Sequence, residues 1–460
     1  MKLRHALVAL LAVIALSSCS AAAGGGGGTA QAPAPGADAL NGQPQVELTF
    51  WHGMTGANGD ALTRLTDQFN QQNAGRIHVN LAFKGKYDDT LAAYKAGIAS
   101  SQLPDVVQMY DIGTRFMIDS GAIAPVQGFV DVDKYDLSQI QPNIAGYYTV
   151  DGKLQSMPFN TSMPLFYFNK AAFTQAGLDP NNPPRTLADI RAAAERIKAN
   201  PAPGVQFPFG ASLYGWFLEQ FTASAGQELC NAGNGHDGRA TAMNLASDTN
   251  VALLSWWQGM VRDGLAMKLD SNTDNGDNAF TSGVAAMSLE STGSLGGFVK
   301  AAQGRFEVGT GPYPKVDASN TGGPIIGGAS LWIVGKDKTP AQQRASWEFT
   351  KFLASTPAQV AWHTSTGYFP ISKAALSDPT DQAWVAQRPQ FQTAITQLQQ
   401  TPLTTATQGC SVGVMPQVRK DVENAMQAAI LQNQDARTAL TTAQDQANGQ
   451  IAEYTKSLGG

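Results

Sequence analysis

An alternation near the start of this chain constrains its fold more than any other feature. Residues 46–51, 77–83 and 106–110 are short runs rich in β-branched and aromatic side chains, and the stretches between them carry apolar residues at helical spacing. Leu62, Leu65 and Phe69 share one face of the first stretch; Leu91, Tyr94 and Ile98 share one face of the second, which Tyr87 opens. Strand, helix, strand, helix, strand at this spacing is βαβ chemistry, so an α/β fold with a mostly parallel sheet and helices on both faces is expected. In such sheets ligands collect at the carboxyl ends of the strands. The third run stops at Asp111, followed by Gly113 and Thr114. Taken alone, that carboxylate serves equally well as a buried acceptor or as the N-cap of the next segment.

At 460 residues the chain is too long for one comfortable core, and two lobes follow from ordinary domain sizes. The later sequence supplies the elements of a second lobe. Asp151-Gly152 is a type I′ signal for a hairpin over 147–159, and Thr186 with Asp189 caps a helix bearing Leu187, Ile190 and Ile197. Runs at 165–169, 284–289 and 306–309 read as strands, and Gly311, Pro312 and Pro314 suit a crossing between lobes. A Gly-rich strand entry at 322–332 precedes a helix over 347–353, and the chain ends in helices from Pro416 and over 440–451. The formal charge of -5 gives no electrostatic reason to expect nucleic acid.

The first residues have a different character. Lys2 and Arg4 precede an apolar run over 6–16 that ends Leu16-Ser17-Ser18-Cys19, the charged, apolar and small-residue zones of a secretory signal. Leu-Ser-Ser-Cys resembles a bacterial lipobox, so residues 1–19 are expected to be a lipoprotein signal and Cys19 the lipidated residue, anchoring the protein to the outer face of the membrane. Residues 20–44, with Gly24 to Gly28 in a row and then Ala, Gln and Pro, are expected to be a flexible tether. In an exported protein Cys230 and Cys410 are the natural disulfide pair once Cys19 is engaged; otherwise they are two small core residues. Three scattered cysteines do not make a metal cluster.

Among the charges, Arg419 is the most informative. It lies three residues after Pro416, near a helix start, where a cation opposes the helix dipole unless an anion is present. A solvated arginine is the plainer alternative. Ser294 follows a strand and a glycine, so its hydroxyl and the neighbouring N–H groups suit an oxyanion. Gly327 and Gly328 would let backbone approach a ligand, though bulge glycines are as common. Tyr87, Tyr368 and Trp216 are pocket walls or core. Enzyme signatures are missing: Ser294 is not in G-x-S-x-G, and no H-E-x-x-H, P-loop or dinucleotide fingerprint occurs. Asp270, Asn272 and Asp274 begin like a calcium loop, but Gly276 falls at loop position 7 and Thr281 stands where the bidentate glutamate belongs. Neither metal nor cofactor is expected, and none of the histidines sits in a paired motif.

With these residues assembled, the chain resembles the extracytoplasmic solute-binding proteins of ABC importers, in the branch that takes sn-glycerol-3-phosphate and glycerophosphodiesters. The likeness runs through Phe50-Trp51-His52, residues 84–87, residues 108–114, residues 158–162, residues 325–332, Trp362-His363 with Thr366-Gly367-Tyr368, and residues 413–419. It implies a type II periplasmic-binding-protein-like fold, with an N-terminal lobe over 45–162 and 313–370, a C-terminal lobe over 163–312 and 371–460, and the ligand in the cleft between them. It implies that phosphate is held by Tyr87, Ser162, Ser294, Gly328, Tyr368 and Arg419. Asp111 would accept from glycerol hydroxyls at the end of the ligand away from Arg419, and Leu213 with Trp216 would line the headgroup pocket. Leu213 stands where relatives carry a tryptophan, and the resemblance implies that the smaller side chain makes room for a bulkier diester such as glycerophosphocholine. The implied partners are that ligand and an ABC permease, with the binder a monomer. An oligosaccharide binder of the same architecture and a secreted esterase or phosphodiesterase are the rival classes.

Overall fold

The computed structural model describes residues 33–459. The expected signal, Cys19 and most of the expected tether lie outside those residues. The last part of the tether does not stay free. Residues Ala37–Leu40 form a single 3-10 turn, and Leu40 is buried in a cluster with Val46, Leu48 and Phe349. Ala34 packs against a second cluster. The folded part therefore begins about ten residues before 45, because the apolar Leu40 gains from burial what a Gly-Ala-Pro composition alone does not reveal.

The first sheet is built as the alternation dictates. β1 (Val46–His52) lies between β2 (Ile77–Phe83) and β3 (Val106–Tyr110), all parallel, with the helices Gly56–Gln72 and Tyr87–Ser100 as crossovers. β4 (Ile123–Ala124) follows. The hairpin is smaller than expected: β5 (Thr149–Val150) pairs only with β6 (Lys153–Leu154), Asp151 and Gly152 having φ 52° and 71° at its turn. β7 (Met157–Ser162) then leaves that hairpin for the main sheet.

The second sheet orders as β11 (Val308–Pro312), β8 (Pro164–Asn169), β10 (Ala285–Ser291) and β9 (Phe207–Phe209). From there the chain returns. β12 (Gly327–Val334) inserts into the first sheet antiparallel to β3, β4 and β7, so five strands there share one direction and one opposes them. The result is two α/β lobes.

One apolar cluster belongs to the first lobe, and a larger one runs from the second lobe onto β3 and β12 of the first. Phe50, Phe69, Phe349 and Trp362 meet in the first, the rings of Phe69 and Phe349 lying 5.1 Å apart. In the second, Phe209, Trp257, Phe217 and Phe221 pack against the helices Asp248–Arg262, Met415–Gln432 and Ala436–Ser457. Each buried phenylalanine contributes about 1.5–3 kcal/mol by area. Cys230 and Cys410 are disulfide-bonded, tying the second lobe to the segment that leads into the helix Met415–Gln432. No helix among the described residues is long and apolar enough to cross a membrane.

Candidate functional site

The strand register brings the site together. In the β7–β12 ladder Ser162 sits opposite Gly327 and Thr161 opposite Gly328, while Ala329 sits opposite Tyr110 at the end of β3. The carboxyl ends of β3 and β7 thus meet the amino end of β12 at one edge, carrying Asp111, Ser162 and Gly328. Gly328 has φ 86°, and a Cβ there would overlap the Asn160 carbonyl, so this position requires glycine. Tyr87 opens its helix beside this edge, and Tyr368 arrives just after Gly367, whose φ is 122°. From the second lobe, β10 delivers Ser291 and the turn Thr292–Ser294, the helix Gly215–Ser224 brings Trp216, and the helix Met415–Gln432 brings Arg419. All of these line one cleft of about 620 Å³. A larger hollow of about 800 Å³, between the helix Leu295–Ala302 and residues 384–391, contains none of them.

Hydroxyl orientation is set from behind. Gln108 accepts from Gly53 N–H at 2.9 Å and donates to Asn160 at 2.8 Å, and Asn160 donates in turn to the Tyr87 hydroxyl at 2.9 Å. Because Tyr87 accepts there, its own proton is left to donate toward the cleft or toward Tyr368, 3.5 Å away. Burial pushes both phenols above their ordinary range, so they stay protonated donors.

Arg419 is not solvated. It is 4% exposed, its Nε and Nη2 donate to Glu219 at 2.6 and 2.8 Å, its Nη1 donates to the Tyr214 hydroxyl at 3.2 Å, and its Nη2 lies 3.4 Å from Asp111. Burial works against that charge, but Glu219, Tyr214 and Asp111 around it keep the guanidinium firmly protonated. Burial raises the Glu219 carboxyl from its ordinary value, the guanidinium opposing the shift.

Two expectations are corrected here. Asp111 is not at the end of the cleft away from Arg419 but directly beside it. Nor does it cap the following helix: Thr114 donates to its backbone carbonyl, and neither helix start here has a side-chain cap. Leu213 is not in the cleft wall. It is 1% exposed in the core, with its N–H on the Asp270 carbonyl, and Tyr214 takes the wall position because side chains alternate along the extended entry to the helix. Glu219 and Tyr214 went unseen in the sequence, since neither sits in a motif. Three cations (Lys86, Arg419, Lys420) and six carboxylates (Asp88, Asp111, Asp270, Asp274, Glu290, Glu423) line the cleft. Among the described residues no cluster of metal-ligating side chains forms; the cleft sets hydroxyl donors, a buried guanidinium, aromatic walls and a rim of paired lysines and carboxylates around one space. That is a site for capturing a small polar solute between two lobes.

Comparison with known proteins agrees. Residues 64–393 match the family model for bacterial extracellular solute-binding proteins. The sn-glycerol-3-phosphate-binding periplasmic protein UgpB of Escherichia coli K12 is 33% identical over 439 residues, covering 93% of this chain and 98% of that protein. The chain belongs to the bacterial extracellular solute-binding protein family. In fold it is similar to UgpB from Mycobacterium tuberculosis, solved in complex with glycerophosphocholine (TM-score 0.74, 22% identity, 89% of this chain and 99% of that one). It is equally similar to the GacH receptor of Streptomyces glaucescens, solved unliganded and with acarbose (TM-score 0.75, 17% identity, 89% and 99%). At those identities the two structures speak for the fold alone.

Proposed function

We propose that this protein is the solute-binding component of an ABC importer, capturing glycerophosphodiesters, with glycerophosphocholine favoured, or sn-glycerol-3-phosphate, and delivering them to a membrane permease without breaking a bond. One observation supports this reading: Arg419, Tyr87, Tyr368, Ser162, Ser294 and Gly328, drawn from both lobes, line a single cleft. A guanidinium among hydroxyl and amide donors supplies the charge-assisted bonds that a phosphate calls for and a neutral sugar does not need, the two lysines of the rim being taken up by Asp274, Glu423 and Asp88. Tyr214 and Trp216, with ring centroids 6.3 Å apart, offer apolar walls for a headgroup, and Asp111 an acceptor for glycerol hydroxyls. Ligand bridging both lobes favours the closed form, and closure excludes water and strengthens each bond to the anion. The permease reads that closed form. Lipidation at Cys19 would hold the monomeric binder at the outer membrane face.

Calorimetry on the purified protein with glycerophosphocholine, sn-glycerol-3-phosphate and trehalose tests this. Heat is expected with the diester and none with trehalose. Binding of trehalose alone would favour an oligosaccharide carrier, and turnover of the diester would reassign the protein to the hydrolases.

A further inference from the structure

We infer that Glu219, which lies outside the cleft wall, sets the charge class of the ligand: it grips the side edge of Arg419 and cancels its charge, so that the cleft takes phosphodiester monoanions and disfavours phosphomonoester dianions. This rests on the phosphate reading of the cleft given above.

Geometry comes first. A guanidinium offers two bidentate edges, and Glu219 occupies the Nε/Nη2 edge at 2.6 and 2.8 Å. Only the Nη1/Nη2 end remains, held by two longer contacts, Tyr214 at 3.2 Å and Asp111 at 3.4 Å. Glu219 therefore fixes the plane of Arg419 with that end toward the cleft, yet never reaches the ligand. It is a positioning residue.

Charge comes second. Arg419 has two carboxylates within 3.4 Å, so the group that meets the phosphate is already overcompensated. Lys86 is spent on Asp274 at 2.8 Å, and Lys420 on Glu423 at 3.1 Å and Asp88 at 3.3 Å. Every cation lining the cleft is thus paired, and the remaining donors are neutral hydroxyls and an amide. Arg419, Asp111, Glu423, Tyr214 and Tyr147 are the charged or titratable groups that act on Glu219 from the surrounding elements. Only one of them is a cation. A phosphodiester carries one negative charge across the ordinary pH range, whereas a phosphomonoester gains a second as it ionises near pH 6. At an effective dielectric near 20, that second charge, a few ångströms from two carboxylates, costs roughly tenfold or more in affinity.

The test is calorimetry on wild type, Glu219→Gln and Glu219→Asp with glycerophosphocholine and sn-glycerol-3-phosphate at pH 5 and pH 8. The diester keeps one charge throughout and so reports any titration of the protein's own groups, Glu290 of the cleft wall included. The diester-to-monoester affinity ratio is the readout. In wild type it should shrink by about tenfold or more from pH 8 to pH 5. Glu219→Gln should show the smaller ratio already at pH 8 with a flattened pH profile, and Glu219→Asp should keep the wild-type behaviour. A wild-type ratio independent of pH, a monoester as unbound at pH 5 as at pH 8, or a Glu219→Gln protein with the wild-type profile would each overturn the inference while leaving the phosphate reading intact. A Glu219→Gln protein that folds but binds neither compound would make Glu219 purely structural. Wild type that binds neither overturns the phosphate reading itself, and this inference with it.

Discussion

Replacing Arg419 by methionine keeps most of the side chain's bulk and removes its charge, which breaks the ion pair with Glu219 together with the longer contact to Asp111. Both residues are 4% exposed, so Glu219 would be left charged, buried and without its two strongest donors. Breaking a buried pair from one side costs about 3–5 kcal/mol. The sign of the pH dependence follows from the same pair. Burial already raises the Glu219 carboxyl and Arg419 opposes that shift, so in Arg419→Met the folded-state value rises further. A group whose folded value exceeds its unfolded value gives stability that is complete at low pH and lost as pH rises through the folded value. The defect should therefore be smaller at pH 5 than at pH 8. Adding Glu219→Leu removes the stranded charge and should recover all but about 1–2 kcal/mol, because apolar replacement of a buried pair is often close to neutral. Urea unfolding of the unliganded proteins at the two pH values measures all of this. An Arg419→Met protein within about 1 kcal/mol of wild type at pH 8 would refute the reasoning, since it would mean that Arg419 and Glu219 are not paired in solution.

Three further outcomes are expected. Gly328→Ala, with φ 86° and no room for a Cβ beside the Asn160 carbonyl, should lose about 1–3 kcal/mol in thermal unfolding and abolish calorimetric ligand binding; unchanged binding would remove the backbone of Gly328 from the anion site. Half-buried Asp277 lies beside Glu290, which lines the cleft; burial and repulsion from Asp277 raise Glu290 well above its ordinary value and burial raises Asp277 to about 7, so stability should fall as pH rises from about 4 to about 7, and Glu290→Gln should flatten that slope in pH-dependent melting. Lys86 and Asp274 pair across the cleft mouth but are 60% and 58% exposed, so Lys86→Ala should change ligand affinity by less than about fivefold, with any loss shrinking as salt is raised.

Most of the first sheet was legible because its signal is local. The period of Leu62, Leu65 and Phe69 gives a helix that buries all three, and Tyr87 does open the helix Tyr87–Ser100. The Thr186/Asp189 capping box and the positive φ angles of Asp151 and Gly152 are also where short-range chemistry puts them. What pattern alone could not give is the direction of β12. A Gly-rich apolar run pairs equally well in either sense; its antiparallel course follows from the chain returning from the second lobe and entering beside β3 from the opposite end. Leu40 was missed for a related reason. One apolar residue in a polar stretch has no period, and only the waiting hollow beside Val46 and Phe349 decides that it is buried.

The site was legible in outline and not in its electrostatics. A cation near a helix start calls for an anion unless it is solvated, and Arg419 is buried. The anion beside it is Glu219, 200 residues earlier on another helix, with Asp111 from the first lobe as the second partner. No spacing rule joins positions that far apart. The same long-range placement moved Asp111 from one end of the expected ligand to the other. A carboxylate at a strand end and an arginine at a helix start attract each other once both face one cleft, so under the proposed function an entering phosphate would compete with Asp111 for that end of the guanidinium. The competition makes physical sense for a carrier that must also release its cargo. A naked buried guanidinium would hold an oxyanion too tightly to let go and would destabilise the empty protein, whereas one already satisfied by internal carboxylates costs little when empty and gains only the difference when filled. Affinity is then set by how much better the ligand serves Arg419 than Asp111 does, with Glu219 fixing the edge on which they compete.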